Sequence, residues 1–117
     1  MNNPQHPSLS VVLPAFNEAD NIDESIGGAV RALRSLVREW EVVVVDDGSA
    51  DDTSARVAAW GSREPGVRLV RHPRNRGYGA ALRSGFRAAR MDHVFFTDSD
   101  LQFDLAELAL LLPHTLR

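Results

Sequence analysis

Val42-Val43-Val44-Val45-Asp46-Asp47-Gly48-Ser49 decides the architecture: four consecutive valines run straight into two aspartates, a glycine and a serine. An uninterrupted β-branched run is too uniform for a strand with one wet face and typical of a parallel strand covered on both sides. The Asp-Asp-Gly-Ser stretch ends that strand. Towards the amino end, Leu9 to Leu13 is a shorter run of the same kind, halted by Pro14, so Ala15-Phe16-Asn17-Glu18 reads as the loop after a first strand. Between the two runs, Asn21 or Asp20 can cap a helix whose apolar positions, Ile22, Ile26, Ala29/Val30, Leu33 and Leu36/Val37, recur every three or four residues. Gly27 and Gly28 each cost that helix ~1 kcal/mol relative to alanine. Either they permit close packing against the sheet or the helix is locally weak.

Towards the carboxyl end, Asp51 or Asp52 opens a second helix that runs through Val57 and Trp60 to about Arg63, where Pro65-Gly66 breaks it. Val67 to Val70 is a third strand, and His72 to Gly79 its arginine- and glycine-rich loop. Ala80 to Arg90 is a helix with Leu82, Phe86 and Ala89 on one side. Val94, Phe95 and Phe96 read as a buried strand, with a loop from Thr97 onward. Asp104-Leu105-Ala106-Glu107 resembles a capping box opening a leucine-rich helix that Pro113 stops. Residues 1–8 form a flexible lead-in. Strands alternating with helices predict an α/β, Rossmann-like fold: a mostly parallel sheet of about four strands, with helices on both faces.

The 117 residues suit one domain, and 44% hydrophobic with 25% charged residues is a globular composition. A net charge of −3 is too mild for a nucleic-acid surface. All thirteen cationic residues are arginine, and cysteine is absent, which excludes disulfides and thiolate metal sites. No apolar run is long enough to span a bilayer and no basic-plus-apolar leader begins the chain, so a cytoplasmic protein is expected.

Carboxyl ends of parallel strands lie along one edge, where open α/β sheets hold their ligands. Four loops therefore face one crevice: Pro14 to Glu18, Asp46 to Ser49, Pro73 to Gly79 and Asp98 to Gln102. An ordinary strand-end turn explains any one of them, but four polar loops on one edge point to a shared ligand. The opposite-edge connections, around Arg38-Glu39 and Arg63 to Gly66, look like ordinary solvated turns. Asp98 and Asp100, with Gln102, offer hard oxygens to Mg²⁺ or Mn²⁺, and a cation lets two carboxylates sit beside a diphosphate that they would otherwise repel. Arg74 and Arg76, beside Gly77 and Gly79, can approach phosphates. Asp46 or Asp47 can accept a hydrogen bond from a base or ribose, and Phe16 can offer the base an apolar face. Glu18 is either a ligand contact or a favourable anion near a helix start. His6, His72, His93 and His114 lack the spacing of a metal site.

Together, Val11-Val12-Leu13-Pro14-Ala15-Phe16-Asn17-Glu18, Val44-Val45-Asp46-Asp47-Gly48-Ser49, Asn75-Arg76-Gly77-Tyr78-Gly79 and Thr97-Asp98-Ser99-Asp100-Leu101-Gln102 resemble the family 2 glycosyltransferases of GT-A fold. The branch they are most similar to is that of the dolichol- or polyprenyl-phosphate sugar synthases. The resemblance, over residues 9–112, implies inverting transfer of a sugar from a nucleotide diphosphate-sugar with Mg²⁺ or Mn²⁺. It implies that Pro14, Ala15, Phe16 and Glu18 line the nucleoside pocket, that Asp47 reads the base with Asp46 beside it, and that Arg76 and Gly77 belong to the donor site. Asp98 is implied near the ribose and metal, Asp100 and Gln102 as metal ligands, and Asp98 and Asp100 as the catalytic pair. Phe16 stands where the family often has tyrosine and loses only the hydroxyl.

The family normally continues into an acceptor-binding half, so residues 9–117 are expected to be the donor half of such a domain, incomplete at its carboxyl end. Exposed apolar surface would then promote self-association or a partner. Activity on a lipid phosphate would place the chain peripherally at the inner face of the membrane. The alternative is a non-catalytic nucleotide-sugar-binding or assembly module. Haloacid-dehalogenase-like phosphatases and response receivers also set aspartates after a strand, but both need a lysine, which this chain lacks. Gly77-x-Gly79 follows the third strand and lacks the third glycine of a dinucleotide fingerprint.

Overall fold

In the computed structural model, which describes residues 8–98, seven elements alternate along the chain. They are β1 (Ser8–Ala15), α1 (Ile22–Leu36), β2 (Glu39–Asp47), α2 (Thr53–Arg63), β3 (Val67–His72), α3 (Tyr78–Ala88) and β4 (His93–Phe96). The strands form one sheet in the order β3-β2-β1-β4, and every pairing is parallel. The valine run lies at its centre, and all four valines are fully buried.

Alternation along β2 divides those valines between two layers. Val42 and Val44 join Val11 and Leu13 under Ile26 and Leu33 of α1 and Val57 of α2. Val43 and Val45 join Val12 beneath Ala81 of α3. Crossover handedness explains this division. The chain steps from β1 to β2 to β3 in one direction, then returns across the sheet to β4, so right-handed connections must put α3 on the face opposite α1 and α2. The direction reverses between β1 and β4, which is the switch point where such sheets bind ligands.

Several boundaries differ from the sequence expectation for local reasons. Pro14 does not halt β1, which continues to Ala15. Val12 presents its carbonyl towards β4, where it accepts the Thr97 amide at 3.2 Å, and Pro14, two residues on, faces the same way. β4 pairs with β1 only as far as Val12, so the missing proline N–H has no partner to lose. Ser8, assigned to the lead-in, is buried as the first residue of β1. His72 ends β3 rather than opening the loop, and α3 begins at Tyr78 and ends at Ala88.

The buried side of α3 is also not the expected one. Leu82, Phe86 and Ala89 were the larger apolar positions, but Ala80, Ala81 and Gly85 are the residues buried, because small residues let the helix approach the sheet. Phe86 is exposed and meets Phe96 edge to face, with centroids 5.7 Å apart. β4, expected to be buried, is an edge strand among the described residues: Phe95 packs on the core while Val94 and Phe96 are 43% and 48% exposed. Gly27 packs on Trp60 of α2 rather than on the sheet. The helix expected from Asp104 lies outside the described residues.

At the amino edge, turns such as Arg38-Glu39 are exposed as expected, yet Glu41 beside them is buried. Its carboxylate accepts from Ser10 Oγ at 2.6 Å, the Arg90 amide at 2.7 Å and Arg68 Nε at 2.9 Å. Burial pushes the Glu41 carboxyl up, but the Ser10, Arg90 and Arg68 contacts together bring it below its ordinary value. Arg68 also donates to the Ala88 carbonyl, so this one buried carboxylate ties β1, β2 and β3 to the end of α3.

A Cβ on Gly85 would stand 2.3 Å from Val12 Cγ1 and 3.3 Å from Val45 Cγ2. Gly85→Ala should therefore lower the urea midpoint by the equivalent of ~1–3 kcal/mol, because overpacking of two β-branched side chains outweighs the helix-propensity gain of at most ~1 kcal/mol.

Candidate functional site

The two aspartates at the end of β2 point to opposite faces of the sheet and hold different loops. Asp46 is fully buried, and its Oδ1 accepts the Ser49 amide at 3.0 Å. Ser49 Oγ in turn accepts the Asn17 amide at 2.8 Å, while Asn17 Oδ1 accepts the Ala50 amide at 2.8 Å. Thr53 Oγ1 takes the Glu18 amide, and Asp51 takes the amides of Ala19 and Thr53. This lattice holds Asn17 at a positive φ of 54°, a conformation that asparagine tolerates better than most residues.

Asp47 holds the loop between β3 and α3. Its Oδ1 accepts the Arg76 amide and faces His72 Nδ1, both at 2.8 Å, and its Oδ2 accepts the Gly77 amide at 2.9 Å. His72 Nε2 lies 2.7 Å from Ser84 Oγ on α3. Burial pushes the Asp47 carboxyl up, but the His72 contact and the two amides more than offset that and hold it below the ordinary carboxylate value. Gly48, at φ +76°, completes the junction, since a Cβ there would stand 2.3 Å from the Arg74 carbonyl carbon. Gly77 has φ +102°, which again requires glycine.

These tied loops enclose a cleft of about 670 Å³ at the switch point. Pro14, Ala15, Phe16 and Glu18 line it from the end of β1, Asp47 from β2, Asn75 and Gly77 from the third loop, and Asp98 from beyond β4. Tyr78 and Ala81 line it from α3. Phe16 and Tyr78 are 46% and 53% exposed, so two aromatic rings are available to a ligand. Burial, followed by the charge of Asp98 and a hydrogen bond to it, pushes the Tyr78 phenol up.

The expected site residues are thus mostly brought together, with three exceptions in kind. Asp46 does not reach the cleft and instead braces the Ser49 turn, because strand alternation sends it to the face opposite Asp47. Arg76 contributes its backbone amide to Asp47 and is not part of the lining. Asp100 and Gln102 lie outside the described residues. Sequence reasoning also missed His72, Asn75, Tyr78 and Ala81. The available signal was the position of Tyr78 inside the Asn75 to Gly79 motif, immediately after a glycine that opens a helix.

A model of the family described as glycosyl transferase family 2 matches residues 10–116. The chain belongs to that family. It is 38% identical over 96 residues to an undecaprenyl-phosphate 4-deoxy-4-formamido-L-arabinose transferase of Edwardsiella ictaluri, covering 80% of this chain and 29% of the relative. It is 32% identical to a dolichyl-phosphate beta-glucosyltransferase of Trichomonas vaginalis, covering 83% and 30%. Among solved structures, a mannosyltransferase of Pyrobaculum calidifontis in complex with GDP-Man and Mn²⁺ superposes with TM-score 0.77 at 32% identity, covering 92% of this chain and 32% of that one. A glucosyl-3-phosphoglycerate synthase of Mycobacterium tuberculosis, complexed with Mn²⁺, UDP and phosphoglyceric acid, gives 0.74 at 33% identity, covering 94% and 39%. The GT-A architecture of these neighbours is the fold of this chain, which spans about a third of their length.

Asp47→Asn should destabilise the protein by ~1–3 kcal/mol at neutral pH, because it leaves buried donors poorly paired. An ionised carboxyl with a lowered value contributes stability above its unfolded value and loses it as pH falls through the folded one. The difference between variant and wild-type urea midpoints should therefore shrink below about pH 4.

Proposed function

We propose that this chain provides the donor-binding part of a metal-dependent, inverting glycosyltransferase that moves a sugar from a nucleotide diphosphate-sugar to a lipid phosphate of the polyprenyl class. The observation carrying this reading is the cleft itself: four strand-end loops, two of them tied to β2, surround one space at the switch point. Support comes from the neighbours complexed with GDP-Man or UDP and Mn²⁺, and from relatives named as undecaprenyl- and dolichyl-phosphate transferases.

In this reading Phe16 offers its exposed ring to the base, while Pro14, Ala15 and Glu18 shape the nucleoside end of the cleft. Asp47 has three of its acceptor positions engaged and reads the base only through what remains, so its larger service is to hold the Gly77 turn against the ligand. Asp98 suits Mg²⁺ or Mn²⁺: it presents an exposed carboxylate to the cleft beside the Tyr78 hydroxyl, and these cations prefer hard oxygen ligands. Asp98, with Asp100 and Gln102, would hold a cation that offsets the charge of the departing diphosphate. A phosphate oxygen of the acceptor forms the new bond to the anomeric carbon as the bond to the diphosphate breaks, and the electron pair leaves with the nucleotide. A lipid phosphate is already ionised near neutrality, so this chain needs no strong base for the step.

No helix among the described residues is long and apolar enough to cross a membrane. A polyprenyl phosphate acceptor would place the protein peripherally at the cytoplasmic face of the membrane.

Titration calorimetry with UDP and with GDP should show binding in Mn²⁺ that weakens roughly tenfold or more with chelator or in Asp98→Ala and Asp100→Ala. Equal affinity with and without the metal would end the metal assignment. Release of nucleotide diphosphate from a sugar donor only when polyprenyl phosphate is added separates an enzyme from a binding module.

A further inference from the structure

We infer that His72 is a positioning residue for the donor site, acting through Asp47 and locked from behind by Ser84. The inference rests on the donor-binding reading above. His72 is buried, does not line the cleft, and bridges two groups whose placement the cleft depends on.

Asp47 must hold three donors at once, the ring Nδ1 of His72 and the amides of Arg76 and Gly77. A carboxylate free to rotate about its last torsion could satisfy the two amides in more than one way, each with a different placement of the Arg76-Gly77 peptide. The His72 contact to Oδ1 at 2.8 Å selects one rotation, and the Ser84 contact at 2.7 Å selects one ring orientation. Because an ionised carboxylate can only accept, Nδ1 carries the hydrogen, and in the neutral ring Nε2 accepts from the Ser84 hydroxyl. The chain of contacts runs from α3 through Ser84, His72 and Asp47 to Gly77, which lines the cleft. It is the arrangement by which outer partners orient groups at a binding site.

Two near-isosteric substitutions take the two ring nitrogens apart. His72→Asn places a side-chain amide N–H where Nδ1 was and keeps the Asp47 contact. His72→Gln reaches Ser84 and loses Asp47. Binding of Mn²⁺-UDP and Mn²⁺-GDP is measured by calorimetry, alongside melting temperature and hydrogen exchange of the Arg76 and Gly77 amides without ligand. His72→Gln should raise Kd roughly tenfold and speed exchange at both amides, whereas His72→Asn should stay within about threefold of wild type in Kd. A residue that merely fills space would make the two variants alike in both readouts, and that result overturns the inference. Ser84→Ala removes the same outer contact as His72→Asn and keeps the Asp47 contact, so it should resemble that variant in both readouts, and a change as large as that of His72→Gln would count against the inference. If both histidine variants fail to fold, ¹⁵N spectra of the wild-type ring decide: a protonated Nδ1 with an accepting Nε2 supports the assignment and the opposite tautomer overturns it. Wild-type protein that binds neither nucleotide would defeat the donor reading, and amide exchange would then judge the positioning of the loop by itself.

Discussion

Everything at the ligand edge depends on a period of two at the end of one strand. Asp46 and Asp47 are adjacent in sequence, so the pleat sends their carboxylates to opposite faces of the sheet. One grips the turn that receives the loop from β1, and the other grips the loop from β3. A central strand therefore clamps its neighbours' loops from both sides at the same height. The four buried valines behind the clamp fix that height, because a shift of β2 by one residue would exchange the two aspartates and send each valine to the wrong layer of the core.

Burying carboxylates at both ends of β2 is costly unless donors converge on them. The solutions at the two ends are different. Glu41 is met by a guanidinium, a hydroxyl and one amide, an arrangement in which charge and dipole share the compensation. Asp47 is met by two amides and an imidazole, with no guanidinium contact among its hydrogen bonds. At each end a backbone amide from a segment flanking α3 is among the donors, Arg90 at one and Gly77 at the other, so the helix is fixed to β2 at its two ends. Between them Gly85 lets it descend onto Val12 and Val45. That three-point seating places Tyr78 and Ala81 at the cleft.

The order of elements, the parallel sheet and the side on which the loops meet were all legible, because hydrophobic period and crossover handedness are local or universal rules. The valines of β2 announced burial on both faces, and Ile22, Ile26 and Leu33 marked the buried side of α1 as it is found. What could not be read was set by partners distant in sequence. α3 looked as though it would bury its large residues, yet close approach selects Ala81 and Gly85. Val94 and Phe96 looked buried, yet their strand lies at the edge, and only the sheet order reveals that. Among the residues that line the cleft, Phe16, Glu18, Asp47, Gly77 and Asp98 were singled out from chemistry at strand ends. His72 was passed over because one histidine beside a proline carries no pattern, and its meaning comes from Asp47, 25 residues away.

The two sides of the cleft are built to different standards. Phe16 and Asp47 extend from β1 and β2, which lie inside the sheet, are buried along nearly their whole length and have their loops tied to each other. Asp98 follows a four-residue strand that, among the described residues, pairs on one side only, with two of its side chains nearly half exposed. Local stability follows burial and pairing, so the Phe16 and Asp47 side is the stiffer wall and the Asp98 side the more yielding one among the described residues. A ligand lying between the two would meet a firmly tied surface on one side and a less firmly held one on the other, and part of its binding free energy would go into ordering the latter.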